Sequence, residues 1–166
     1  MIIEKTEFRI ADPADRLGIL ALHRRAFGRE DEARLVDTLT DAACATVSMV
    51  ARIDGMIVGH VMLSELQGPE RSLALAPLGV DPDWRDFQIG TELTRRAISV
   101  ARKDGWLCVF VQGDPVYYGR FGFKKGVAEG VSCDRQGPHF MALELENGAL
   151  NGYRGEIRYP DAFGAA

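Results

Sequence analysis

The clearest pattern of apolar and polar positions is a pair of β-rich runs, residues 46–53 and 56–66, separated by Asp54-Gly55. Both central residues of a type I′ turn take positive φ, which Asp and Gly tolerate, so the pair predicts a hairpin. Ahead of it, a short strand at residues 8–10 leads to Asp12-Pro13-Ala14-Asp15. That tetrapeptide is a helix start, with Asp12 as N-cap, Pro13 at the first helical position and an acidic residue in the first turn. Ile19, Leu22, Ala26 and Phe27 then share one helical face. A second helix follows Gly28, where Leu35, Val36 and Leu39 recur among charged neighbours until about Asp41. These two helices are expected to cover one side of a sheet.

Residues 72–80 are almost continuously apolar, the mark of a central strand covered on both faces. Pro77 and Gly79 suit a regular ladder poorly and predict a bulge or a departure from pairing. Residues 88–104 return to the helical period, with Ile89, Leu93, Ala97, Val100 and Ala101 on one face and Arg95, Arg96, Arg102 and Lys103 away from it; Gly105 ends the helix. Residues 106–112 form another apolar strand, Gly113-Asp114-Pro115 opens a short helix to about Arg120, and residues 140–145 and 155–159 read as closing strands. No repeat or linker interrupts this order. With 166 residues, one domain over 1–166 is expected, since each of two would struggle to bury its own core.

Composition narrows the possible functions. A chain that is 46% hydrophobic and 27% charged is built to fold, not to remain disordered. Its 20 Lys plus Arg against 24 Asp plus Glu leave a net charge of −4, so only a local patch could meet a polyanion, and nucleic acid is not expected as a partner. Cys44, Cys108 and Cys133 are odd in number and show no ligand spacing, which indicates neither a disulfide framework nor a zinc site; no metal is expected. Cys108, inside an apolar strand, reads as a small buried hydrophobe. The opening residues lack the apolar core of a signal peptide and nowhere do eighteen apolar residues run together, so a cytoplasmic protein with no membrane partner is expected.

The segment that carries chemistry is the strand, polar turn and helix over residues 78–93. A helix N-terminus offers unpaired N–H groups and partial positive charge, so such a junction can hold a phosphate by backbone alone, and Gly90 admits close approach. A glycine fingerprint after the first strand and a P-loop are both missing, which argues against a Rossmann dinucleotide site and a nucleotide triphosphatase.

Two segments, Val80-Asp-Pro-Asp-Trp-Arg85-Asp-Phe-Gln-Ile-Gly90 and Gly113-Asp-Pro-Val-Tyr-Tyr118-Gly-Arg-Phe-Gly-Phe123, together with the order of elements, resemble the GNAT superfamily of acetyl-CoA-dependent N-acetyltransferases. The first is similar to that family's pyrophosphate signature, [QR]-x-x-G-x-[GA], and the second to its F-Y-x-x-x-G-F signature. The closing stretch, residues 140–163, further resembles a bacterial subgroup of predicted N-acetyltransferases.

The resemblance implies a mixed α/β (α+β) fold, with helices flanking a central, mostly antiparallel sheet whose central strands splay. It implies acetyl-CoA as donor, an amine as acceptor, no metal, and direct attack without a covalent enzyme intermediate. Pantetheine would lie between the ends of the strands over 72–80 and 106–112, where backbone N–H groups of Leu78, Gly79 and Val80 polarise the thioester carbonyl. The diphosphate would meet Arg85, Asp86, Phe87, Gln88, Ile89, Gly90 and Thr91, and Gly113, Asp114, Tyr117 and Phe121 would flank the donor.

Gln88 stands where the signature has its first glycine. A small residue there would serve close phosphate approach; alternatively, with helical dihedrals, Gln88 fits without cost and its amide is a further donor, the reading favoured here because Arg85 stays in place.

Tyr118 aligns with the tyrosine that faces the departing sulfur. A phenol near pKa ~10 and a thiol near ~8.5 make full proton transfer uphill by about 2 kcal/mol, so Tyr118 is expected to act as a hydrogen-bond donor. Glu65, near a strand end, is the carboxylate expected to serve as base. His60 shares parity with Met62 and Ser64 and points to the opposite face, in a structural role, while His23 and His139 read as surface residues. The acceptor is not specified, and a homodimer is common in the superfamily. A non-catalytic acyl-CoA-binding module would keep the phosphate loop without needing Tyr118, and a purely structural partner protein would need neither.

Overall fold

The structure, a computed structural model, describes residues 1–164. A one-turn helix α1 (Ile2–Lys5) precedes strand β1 (Glu7–Ile10). The Asp12 side chain accepts from the Ala14 amide, and a 3₁₀ turn at Pro13–Asp15 runs directly into α2 (Arg16–Phe27), which ends on Gly28 at φ 67°. After α3 (Asp31–Asp41) come β2 (Ala45–Ile53) and β3 (Met56–Glu65), joined by Asp54 at φ 50° and Gly55 at φ 78°, the expected positive-φ pair. The chain continues through β4 (Ser72–Val80), α4 (Ile89–Lys103), β5 (Cys108–Gln112) and α5 (Pro115–Gly119), then β6 (Val131–Ser132), β7 (Phe140–Glu144) and β8 (Gly155–Glu156).

The six-stranded sheet has the order β1-β2-β3-β4-β5-β7. Every neighbour pair is antiparallel except β4 with β5, which α4 connects as a crossover. The expected closing strand at 155–159 departs from this scheme. Only Gly155 and Glu156 pair, with β6 in a separate two-stranded sheet, and Arg158 bridges singly to Gln67. That run is too short and too charged to compete for an edge of the main sheet.

Helices divide between the two faces. Ile89, Leu93, Ala97, Ile98 and Ala101 of α4 pack on one face, against residues such as Val47, Val61, Leu73 and Val109. Ile19, Leu22, Val36 and Leu39 of α2 and α3 pack on the other, against Val50 and Met62. Phe110 and Phe140, both fully buried and stacked at 5.7 Å, anchor a third cluster beneath the C-terminal segments. Burial of such a side chain contributes about 2–3 kcal/mol. Two positions on α2 reverse expectation: His23 is fully buried and Phe27 is 38% exposed, so the ring at the helix end is left to line a cleft. Among the described residues no helix is long and apolar enough to cross a membrane.

Candidate functional site

The central strands part. The parallel ladder of β4 with β5 covers only Ser72 to Ala74 against Cys108 to Phe110. Beyond it, β4 carries Pro77, which has no N–H to donate, and its register against β3 shifts between Val61↔Leu78 and Leu63↔Leu75. The Asp81 amide donates to the Val58 carbonyl at 2.8 Å, and antiparallel alternation then turns the N–H groups of Leu78 and Val80 away from β3, into the gap left by β5.

Two depressions meet this gap. One, of about 670 Å³, is lined by Leu75 through Leu78 of β4, Gln112, Tyr118 and Phe27, with Arg29 and Glu32 on one wall and Tyr159 and Phe163 on another. The other, of about 370 Å³, lies at the α4 N-terminus, among Val80, Arg85, Asp86, Gln88, Gly90 and Thr91, with Tyr117 and Arg120 above.

The second corner is built from backbone. The Asp81 side chain accepts from the Asp83 amide and is paired with Arg25 at 2.9 Å, which ties the loop to α2. The Arg85 guanidinium donates to the Ala26 carbonyl at 2.6 Å, so this cation is braced against the end of α2 at the cleft rim. Asp86 (φ 69°) and Gln88 (φ 68°, ψ 14°) are both left-handed, which corrects the expectation of helical dihedrals at Gln88. The position asks for positive φ, and this is the physical reason a glycine suits it. A left-handed L-residue costs about 1–2 kcal/mol, part of which the greater chain entropy of an unfolded glycine offsets. Gln88→Gly is therefore expected to stabilise the protein by about 0.5–1 kcal/mol and to raise Tm by roughly 1–4 °C in thermal unfolding.

At Gly90, an added Cβ would stand 3.3 Å from the Tyr117 hydroxyl and 3.4 Å from Val80, so the missing side chain keeps the helix amides open. Tyr117 reaches Thr91 Oγ1 at 3.4 Å, and the Arg120 guanidinium lies 4.5 Å above its ring. These free N–H groups, the helix dipole and two arginines suit a diphosphate.

Tyr118 stands at the mouth of the gap. Its ring meets Phe123 and Tyr117 edge-on, at 5.7 and 5.0 Å, and lies where a Gly113 Cβ would come within 2.5 Å. Burial, and secondarily Tyr117, push its hydroxyl well above the usual phenol range, so it stays protonated.

The remaining site residues are less gathered. Phe87 is exposed, its ring tilted against Trp84, Asp114 caps α5, Phe121 packs on Tyr117, and Ile89 is buried in the core. Glu65 is exposed opposite Leu73, where β4 and β5 still pair, and lines neither depression. Arg95 and Arg96 turn away to pair with Glu92. Arg120 escaped the sequence reading although it follows Tyr117 at helical spacing, which was its available signal. Glu32 and Tyr159 had none, being 127 positions apart.

His23 corrects a surface assignment. Its Nε2 lies 2.8 Å from His60 Nδ1, and His60 Nε2 lies 2.8 Å from Ser48 Oγ. Burial holds His23 down to about 4 and His60 well below the usual imidazole range. The unfolded chain therefore takes up these protons first. Their contribution to stability is full above about pH 6.5 and is lost as pH falls from there through about 4, by about 1.4 kcal/mol per pH unit for each proton. Urea unfolding across that range should show this slope; a flat profile would mean that the imidazoles are hydrated in the native state.

The model of the acetyltransferase (GNAT) family matches residues 16–123. YhbS of Escherichia coli, described as an uncharacterized N-acetyltransferase, is 33% identical over 161 residues, covering 93% of this chain and 96% of that protein. The crystal structure of Escherichia coli YhbS in complex with CoA has a TM-score of 0.88 to this fold at 30% identity, covering 96% of this chain and 92% of that one. A GNAT family acetyltransferase from Brucella melitensis, solved with acetyl-CoA, has a TM-score of 0.82 at 27% identity, covering 95% and 97%.

Proposed function

The chain belongs to the acetyltransferase (GNAT) family, and from that premise we propose that it transfers the acetyl group of acetyl-CoA to a primary amine by direct attack. The observation that carries this reading is the parting of β4 from β5, with the amide-lined corner of α4 on one side and Tyr118 on the other. In this reading the diphosphate sits on the amides near Gly90 beside Arg85 and Arg120, and the thioester enters the gap. The Leu78 and Val80 amides face the carbonyl oxygen, where negative charge develops as the amine attacks. Tyr118 donates a hydrogen bond to the departing sulfur.

The amine enters through the larger depression, whose rim mixes ion pairs and aromatic rings. Arg29 holds Glu32 at 2.5 Å, and Tyr159 packs edge-on to Phe163 at 5.0 Å. An alkyl ammonium with pKa near ~10 must lose a proton before or during attack, so a proton acceptor has to stand close to this path.

Thiol release from acetyl-CoA, followed across a panel of small amines, amino acids, polyamines and peptides, tests the proposal. The expected result is release that depends on an amine and matches acetylated product one for one by mass spectrometry. Release without an amine would reduce the activity to hydrolysis, and binding of CoA without release would mark a non-catalytic module.

A further inference from the structure

His60 and Gly79 sit directly opposite each other on β3 and β4. Gly79 has no side chain, and the ring of His23 fills the space: a Cβ there would meet His23 Nδ1 at 2.7 Å and Phe27 at 3.2 Å. His23 and His60 are both fully buried, edge to face with centroids 5.0 Å apart. Their hydrogen bonds run from Ser48, which is half-buried, through His60 to His23, and stop there. His23 Nδ1 is buried and has no partner among the described residues.

The chain has two neutral arrangements. In one, Ser48 donates to His60, His60 donates to His23, and His23 Nδ1 is left as a buried N–H with nothing among the described residues to accept it. In the other, His23 Nε2 donates to His60 Nδ1, His60 Nε2 donates to Ser48 Oγ, and Nδ1 keeps a bare lone pair. Buried N–H groups without an acceptor are rarer than buried acceptors without a donor, which favours the second. It leaves a base whose other nitrogen is oriented by a second ring, which is itself oriented by a hydroxyl.

This base lies one ring behind the acceptor-side cleft. Phe27 stacks on His23 at 5.9 Å and 17° and lines the cleft on its other side. Phe27 is the last residue of α2, before left-handed Gly28, and its ring is partly open to solvent. The carboxylates lining the cleft are already committed: Glu32 to Arg29, and Asp31 to Arg29 and Arg34.

We propose that His23 is the general base of the acetyl transfer, taking the proton of the attacking amine at Nδ1 when the Phe27 ring swings aside, while His60 and Ser48 hold the imidazole in the competent tautomer. This rests on the acetyl-transfer reading above. The amine attacks in its neutral form, its ammonium proton having gone to solvent; as its nitrogen bonds to the acetyl carbon and the carbon–sulfur bond breaks, one further nitrogen proton goes to His23 Nδ1. The departing sulfur takes a proton from solvent or from Tyr118, which is reprotonated. His23 returns its proton to solvent through the opened cleft, so the original tautomers are restored without rotation of either ring.

The groups facing the imidazoles are Glu32 from α3, which favours protonated His23, Asp15 from the turn before α2, which acts on His60 and is held by Arg9, the two rings themselves, and the Gly79 backbone. Opening of Phe27 relieves the desolvation that depresses His23 and returns it toward the ordinary imidazole range, where a base is effective at neutral pH.

The test is His23→Gln, whose amide can still donate to His60 but cannot accept a proton. The expected result is a fall of about 10²-fold in kcat/KM for the amine, loss of the imidazole limb from its pH profile, and an unchanged KM for acetyl-CoA. Wild-type rate with an unchanged profile would overturn the base while leaving acetyl transfer standing; absence of transfer by the unaltered protein would overturn both. Should His23→Gln not fold, ¹⁵N NMR of the unaltered protein decides: a bare Nδ1 on His23 is expected, and an N–H there overturns the proposal. Phe27→Ala, treated with diethyl pyrocarbonate, should gain modification at His23 that the unaltered protein shows far more slowly. Equal protection in both would exclude the gate.

Discussion

Replacing Tyr118 by Phe should lower turnover by about 10²- to 10⁴-fold and leave acetyl-CoA affinity nearly unchanged. The exchange removes one oxygen and keeps the ring, so the edge-on contacts with Tyr117 and Phe123 and the fit against Gly113 persist. What disappears is a phenol that burial holds in its protonated form at the mouth of the gap. A hydrogen bond to sulfur is stronger when charge has developed than in the resting thioester, so its loss falls on kcat rather than on binding. Steady-state kinetics at saturating amine, beside calorimetry with CoA, separate the two quantities. An unchanged kcat would remove Tyr118 from the mechanism.

Gly90→Val should act in the opposite sense, weakening CoA binding by about 10- to 100-fold with little change in turnover at saturating donor. The Cβ alone would press on Tyr117 and Val80, and the two methyl groups of valine have only the amide-lined corner to occupy. One or two charge-assisted hydrogen bonds to the diphosphate would be lost, worth about 1.5–3 kcal/mol. Calorimetric titration measures this directly. Wild-type affinity would mean that the diphosphate lies elsewhere and would undo the placement of the donor.

Much of the frame was legible in the residues. The Asp54-Gly55 turn, the Asp12 cap, the amphipathic period after Gln88 and the break in β4 at Pro77 each act through local backbone preference or a single buried face. The junction between β4 and α4, with Gly90 in its first turn, was legible for the same reason, because its residues are nearly contiguous. Gln88 shows the limit of this reading. Helical dihedrals were expected there because Arg85 stays in place, but the turn that lifts the chain from β4 into α4 puts Gln88 at φ 68°.

The buried imidazole pair beneath α2 was not legible. His23, His60 and Ser48 come from α2, β3 and β2, and a histidine followed by two arginines in a helix gives no sign that its neighbours on the far strand will bury it. Glu65 satisfied every local criterion for a base and still faces solvent where the strands remain paired. Sequence alone determined most of the order of elements and the turn that leads into α4, since these follow from interactions between residues close along the chain. Only the tertiary structure decided which side chains meet beneath α2 and which of them line the larger depression. Those facts depend on the packing of α2 and α3 against the splayed strands, where contacts form between residues tens of positions apart and burial sets the protonation of each group.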